Sequence, residues 1–129
     1  MRAETALQST VMQMLRVVHP ELVAVAIPNG AWMAPIDPKR VAMIVHRMKL
    51  SGLITVGASD IVVAGQGKVA FLELKTPAGK DLLGKRIKGG VMSEDQNLFQ
   101  SRCVECGVAY FVCHDWDEVE AAISEVWND

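Results

Sequence analysis

Asp60, Glu73 and Lys75 are the residues whose types and spacing point to hydrolytic chemistry. Glu73 and Lys75 stand two apart at the end of the apolar run Val69-Ala70-Phe71-Leu72-Glu73-Leu74, and Asp60 directly precedes a second run, Ile61-Val62-Val63-Ala64. In an extended strand residues i and i+2 share a face, so Glu73 and Lys75 project together. The turn Gly65-Gln66-Gly67 joins the runs into a β-hairpin, which brings Asp60 opposite the end of the second strand. Two carboxylates meeting there repel each other unless a cation sits between them. Oxygen donors are hard, so Mg²⁺ or Mn²⁺ is expected rather than zinc, with water and a phosphate oxygen completing the shell. Such an ion polarises phosphorus and acidifies a bound water. Lys75 alongside could orient or deprotonate that water and offset the charge that builds on phosphorus. An ordinary strand-edge ion pair, with Asp60 capping a turn, would produce the same triplet, and spacing alone does not choose between the two.

The elements that must position these residues follow from periodicity and punctuation. Leu7, Val11, Met14, Leu15 and Val18 recur at helical spacing ahead of Pro20, which predicts an amphipathic helix over 3–18. Leu22 to Ile27 reads as a buried strand ending at the turn Pro28-Asn29-Gly30. Asp37-Pro38 has the form of an N-cap with proline in the first turn, and Val41, Ile44, Val45 and Met48 supply an apolar stripe for a helix ending at Gly52. The hairpin is expected at the centre of the sheet. Gly79 to Gly90 reads as a charged, Gly-rich mobile loop. Ser93 caps a helix over about 94–106 that Gly107 closes, Val108 to Cys113 is a strand, and Asp115 caps a last helix with Val119, Ala122, Ile123 and Val126 inward. The order α-β-α-β-β-α-β-α describes a mixed sheet flanked by helices, an α/β fold.

With 129 residues, half of them hydrophobic, the chain has the size of one domain spanning 1–129. Its 13 Lys and Arg against 15 Asp and Glu give a formal charge of −2, which excludes a strongly basic polymer binder and leaves any nucleic-acid contact to a local patch. No apolar run approaches the roughly 18 residues of a membrane span. The start Met1-Arg2-Ala3-Glu4 lacks the apolar core of a signal peptide, so a cytoplasmic protein without membrane partners is expected. Three cysteines crowded at 103, 106 and 113 suit a reducing compartment. With His114 they would make four zinc ligands, but the second half of a strong zinc motif is missing, and buried thiols packing as small hydrophobes account for them. His19 and His46 have no second ligand at metal spacing, so structural or surface roles are expected for them, and His114 is no better supported.

The succession Pro28-Asn29-Gly30, Gly57-Ala58-Ser59-Asp60, Glu73-Leu74-Lys75 and Ser93-Glu94-Asp95-Gln96, followed by Gly107, resembles the VRR-NUC domain of the PD-(D/E)xK nuclease superfamily over most of the chain. The resemblance implies a restriction-endonuclease-like core. Within it Asp60 and Glu73 match the metal-binding acids, with the Leu74 main-chain carbonyl as a further ligand, Lys75 matches the catalytic lysine and Gln96 the glutamine of the following helix. Glu4 matches the acid that many members carry on their first helix. Where the family has proline before its first acid this chain has Ser59, a swap expected to alter local stiffness more than chemistry. Small stand-alone members, typical of phages and bacteria, resemble dimeric Holliday junction resolvases, which places the expected compartment in a bacterial or phage-infected cell.

Several of these residues have plainer roles open to them. Ser93-x-x-Gln96 is also a capping box, and the two roles of Gln96 need not exclude each other. Glu4 on a first helical turn is favoured by the helix dipole alone. Lys80, Lys85, Arg86 and Lys88, opposed only by Asp81, make a local positive patch beside the acids that suits a phosphate backbone, and Arg40, Arg47 and Lys49 either extend it or form the wet face of a helix. Trp32 and Met33 suit a dimer contact or stacking on a base.

The expected activity is therefore a Mg²⁺- or Mn²⁺-dependent DNA endonuclease, with no small-molecule cofactor beyond the metal. A homodimer acting on Holliday junctions or other branched DNA is expected, because symmetric cleavage of a four-way junction needs two sites related by a two-fold axis. The alternatives are a non-catalytic DNA-binding or assembly module of the same fold, and a related nuclease acting on flap, linear duplex or RNA.

Overall fold

The computed structural model describes residues 3–28, 37–52, 55, 57–77, 79–80, 86–87 and 90–128. Four helices, α1 (Ala3–Val18), α2 (Pro38–Leu50), α3 (Glu94–Glu105) and α4 (Trp116–Trp127), accompany the strands β1 (Val23–Ala26), β2 (Ile61–Gly65), β3 (Lys68–Leu74), β4 (Gly79–Lys80), β5 (Arg86–Ile87) and β6 (Ala109–Cys113). The main sheet has the order β1-β2-β3-β6, with β1, β2 and β3 successively antiparallel and β6 parallel to β3. The acid-bearing hairpin therefore occupies the two central strands. Gln66 and Gly67 turn it with φ of 51° and 75°, the two consecutive left-handed residues of a tight two-residue hairpin turn.

Alternation decides the two faces of the sheet. Ile61, Val63, Leu72, Leu74 and Cys113 point to one face and pack against Val11, Met12 and Leu15 of α1 and Val119, Ala122 and Ile123 of α4. Each fully buried aliphatic side chain there contributes about 1.5–3 kcal/mol. The tip of the hairpin is tied to the end of α4 by the Trp127 indole N–H, which donates to Gly65 O at 2.9 Å, and by Lys68 Nζ, which donates to Val126 O at 3.0 Å. The helices start where capping chemistry says they should. Asp37 accepts from Lys39 N–H, Ser93 from Gln96 N–H and Asp115 from Glu118 N–H.

Three expectations are corrected. First, β1 is an edge strand rather than a buried one: Val23 and Val25 are 62% and 53% exposed, because among the described residues no helix covers that part of the second face. Second, α2 has no buried residue, and its stripe Val41, Ile44, Val45 and Met48 is only half-buried. An apolar stripe needs a facing partner to be buried, and the described elements supply little of one. Third, the Gly-rich segment contains paired backbone, with β4 antiparallel to β5 and Lys80 in register with Arg86. In α1, Met12 is buried and Val18 is 43% exposed, so the inward stripe is set slightly differently from the expected one. None of the helices is long and apolar enough to cross a membrane among the described residues.

Candidate functional site

The second face of the sheet carries the charged residues, and α3 lies over part of it. Phe99 of α3 meets Phe71 of β3 edge-on at 5.3 Å between ring centroids and Tyr110 of β6 at 6.1 Å. This aromatic contact seats α3 on β3 and β6, and so brings its N-terminal turn to the end of β3.

Asp60 sits immediately before β2. Its N–H donates to Leu72 O at 3.1 Å, its carbonyl accepts from Ile27 N–H at 2.8 Å, and its Oδ2 accepts from Leu74 N–H at 2.7 Å. The carboxylate thus reaches the end of β3 beside Glu73. Asp60 and Glu73 are 3% and 1% exposed, and Lys75 is 8% exposed. Lys75 Nζ lies 3.7 Å from Glu73 Oε1, while the Lys75 N–H donates to Cys113 O at 3.0 Å, holding the residue against β6 just beyond the end of β3. Gly90 returns to this point, donating from its N–H to Thr76 O at 3.0 Å, and a Cβ at Gly90 would lie 3.1 Å from Lys75 Cδ. The lysine stem is packed against backbone.

Gln96 performs both roles open to it. Its side-chain oxygen accepts from Ser93 N–H at 2.9 Å, completing the capping box, while its Nε2 donates to Glu73 Oε1 at 2.7 Å. One amide closes the helix turn with its acceptor end and holds the acid with its donor end. The loop before Asp60 is held against the same turn. Gly57 has a φ of +81°, and a Cβ on it would run into the main-chain carbonyl of Asp95. Ser59 is buried, its Oγ donating to Ile61 O at 3.4 Å.

Two buried carboxylates meet here beside the Lys75 ammonium, and hard oxygen donors are the chemistry that Mg²⁺ and Mn²⁺ take. Among the described residues no group of three or more His, Cys, Asp or Glu side chains is arranged to hold a metal ion. The donors that fit one are therefore Asp60 and Glu73 with main-chain, water or phosphate oxygens. Glu4 lies in the first turn of α1, and its side chain falls outside the described residues.

The other candidates are dispersed. Lys80 and Arg86 occupy facing register positions on β4 and β5, whereas Lys85, Lys88, Asp81, Trp32, Met33, Asn29 and Gly30 lie outside the described residues. Arg40, Arg47 and Lys49 are exposed on α2. Cys103 and Cys113 are buried on α3 and β6, and Cys106 is exposed. Burial pushes the Cys113 thiol up to about 12, with Glu118 and Asp115 adding to it, and burial with Cys106 nearby also raises Cys103. Such thiols are inert. His19 lies between Glu120 and Glu21, its Nε2 2.9 Å from Glu120 Oε1, and His114 pairs with Glu118. Sequence reasoning overlooked Tyr110, Phe99 and Phe71, whose only signal was alternation along single strands and a helix. Comparison with protein-family models, with curated proteins and with solved structures finds no match to this chain, so the family resemblance rests on the quoted residues alone.

Proposed function

We propose that the chain is a metal-dependent phosphodiesterase of the VRR-NUC type that cuts DNA, with Asp60, Glu73 and the Leu74 carbonyl as the ligands of a Mg²⁺ or Mn²⁺ ion. The observation that carries this reading is the near-complete burial of Asp60 and Glu73 at one end of the central hairpin, with Lys75 and Gln96 both directed at Glu73. Burying two acids side by side is costly, and a shared cation is the chemistry that best offsets their mutual repulsion. When bound, the ion would polarise the phosphodiester and acidify water. Lys75 places an ammonium beside Glu73, where it orients the attacking water and offsets charge on phosphorus. Gln96 keeps Glu73 in one rotamer. Attack of water breaks one P–O ester bond and leaves a phosphomonoester and a free hydroxyl. A homodimer that presents two sites to branched DNA belongs to the same reading.

The test is cleavage of labelled four-way junction, flap and linear duplex by wild type, Asp60→Asn and Lys75→Ala, each with Mg²⁺, Mn²⁺ or EDTA. Cleavage by wild type with metal, lost in EDTA and in both variants, is expected, with the junction cut fastest. Equal cutting by wild type and Lys75→Ala removes the lysine from the mechanism. Binding that persists in EDTA, with no cutting in any metal, makes the chain a DNA-binding module instead.

A further inference from the structure

Tyr110 is the only tyrosine of the chain. It lies on β6 in register with Phe71, two residues before Val112, which is in register with Glu73. Side chains two apart on a strand share a face, so Tyr110 stands diagonally next to Glu73 on the face that α3 covers, within reach of a long aromatic side chain. Its ring is held by Phe99 at 6.1 Å. Its hydroxyl oxygen is buried and has no hydrogen-bond partner among the described residues. A phenylalanine would fill the same aromatic contact without that cost, because a buried hydroxyl left unpaired is destabilising. The hydroxyl therefore calls for an explanation other than packing. Burial foremost, and then the charges of Glu73, Cys103 and Asp60, raise the phenol above its ordinary ionisation range. A phenol is in any case protonated at neutral pH, so the hydroxyl can donate.

We propose that Tyr110 is a positioning residue of the carboxylate site, its hydroxyl serving as a hydrogen-bond donor to the acid pair through a bridging water. Gln96 then grips Glu73 from the helix and Tyr110 from the neighbouring strand, restricting the carboxylate to the orientation that a cation needs. This inference rests on the metal-binding reading above.

The first measurement is calorimetric titration of Mn²⁺ into wild type, Tyr110→Phe and Asp60→Asn, with urea unfolding of each. Tyr110→Phe is expected to bind Mn²⁺ about five-fold more weakly, the worth of one hydrogen bond, while its unfolding midpoint stays equal to wild type or rises. A residue with only a structural role would leave the affinity alone. The second measurement needs no substitution of the side-chain framework: with ring-fluorinated tyrosine the chain carries a single fluorine NMR line, which should move on adding Mg²⁺ in wild type and stay fixed in Asp60→Asn. Unchanged Mn²⁺ affinity in Tyr110→Phe, or a fluorine line that ignores an ion the calorimeter shows to bind, overturns the assignment of Tyr110 and leaves the metal site standing. Wild type that takes up no ion overturns the metal reading itself, and Tyr110 with it.

Discussion

Gly57→Ala probes the contact that holds the Asp60 loop against the first turn of α3. At a φ of +81° an L side chain occupies the left-handed region, which costs about 1–2 kcal/mol. The new Cβ would also collide with the main-chain carbonyl of Asp95 and lie 3.0 Å from Asp95 Cβ. These atoms belong to a capped helical turn and cannot rotate away as a side-chain tip would. Overpacking of this kind adds about 1–3 kcal/mol, for a sum of about 2–5 kcal/mol. Gly67 and Gly107 are the controls. They have φ of 75° and 71°, with nothing within 4 Å of an added Cβ, so alanine there meets only the conformational cost. Urea unfolding followed by tryptophan fluorescence reads the difference. With a slope of about 2 kcal/mol per molar urea, the Gly57→Ala midpoint should fall by about 1–2.5 M, against about 0.5–1 M for either control. Equal shifts in the three variants would refute the close approach, and with it the account of how the Asp60 loop and the Gln96 turn are held together.

Two further predictions use the same unfolding assay. Gln96→Ala removes the returning bond of the capping box and the contact to Glu73, so it should lose about 1–2 kcal/mol. Gln96→Glu keeps the size but sets a carboxylate against Glu73 Oε1, where the amide now donates at 2.7 Å. It should be the less stable variant at neutral pH and recover part of the loss as the pH falls, where one of two neighbouring carboxyls takes up a proton. Failure to recover in acid would remove charge repulsion as the cause. The buried thiols set an alkaline limit. Folded Cys113 keeps its proton to about pH 12, whereas its ordinary value is 9.0, so the folded chain binds a proton that the unfolded chain releases. This stability is full below pH 9 and should fall as the pH rises from there towards 12, by at most about 1.4 kcal/mol per pH unit. Cys113→Ser should flatten that slope, and in wild type a thiol reagent at pH 8 should label the exposed Cys106 ahead of the other two cysteines.

Much of the fold was legible because its signals are local. A cap and its helix lie within a few residues of each other, as at Asp37, Ser93 and Asp115, and a hairpin is written in its turn and in two alternating runs. Glu73 and Lys75 could be placed near each other from strand geometry, and Asp60 opposite them from the shortness of the turn. Burial was less legible. Val23 and Val25 have the composition of a core strand, yet β1 ends at an edge, and the stripe of α2 stays only half-buried. Hydrophobicity states a preference for burial, while the element that supplies the covering surface is distant in sequence.

The sequence by itself determined the four helices, the four strands of the main sheet, the hairpin, the caps and the three charged residues it carries. Only the tertiary structure decided what surrounds them: the parallel register of β6 on β3 that sets Tyr110 beside Glu73, the aromatic seat of Phe99 that brings Gln96 onto the acid, and the approach of Gly57 to Asp95. The strand register, the contact of Gln96 with Glu73 and the approach of Gly57 each join segments more than twenty residues apart in the chain. Their meeting depends on how one sheet face is covered by α3, a property of packing that local periodicity cannot encode.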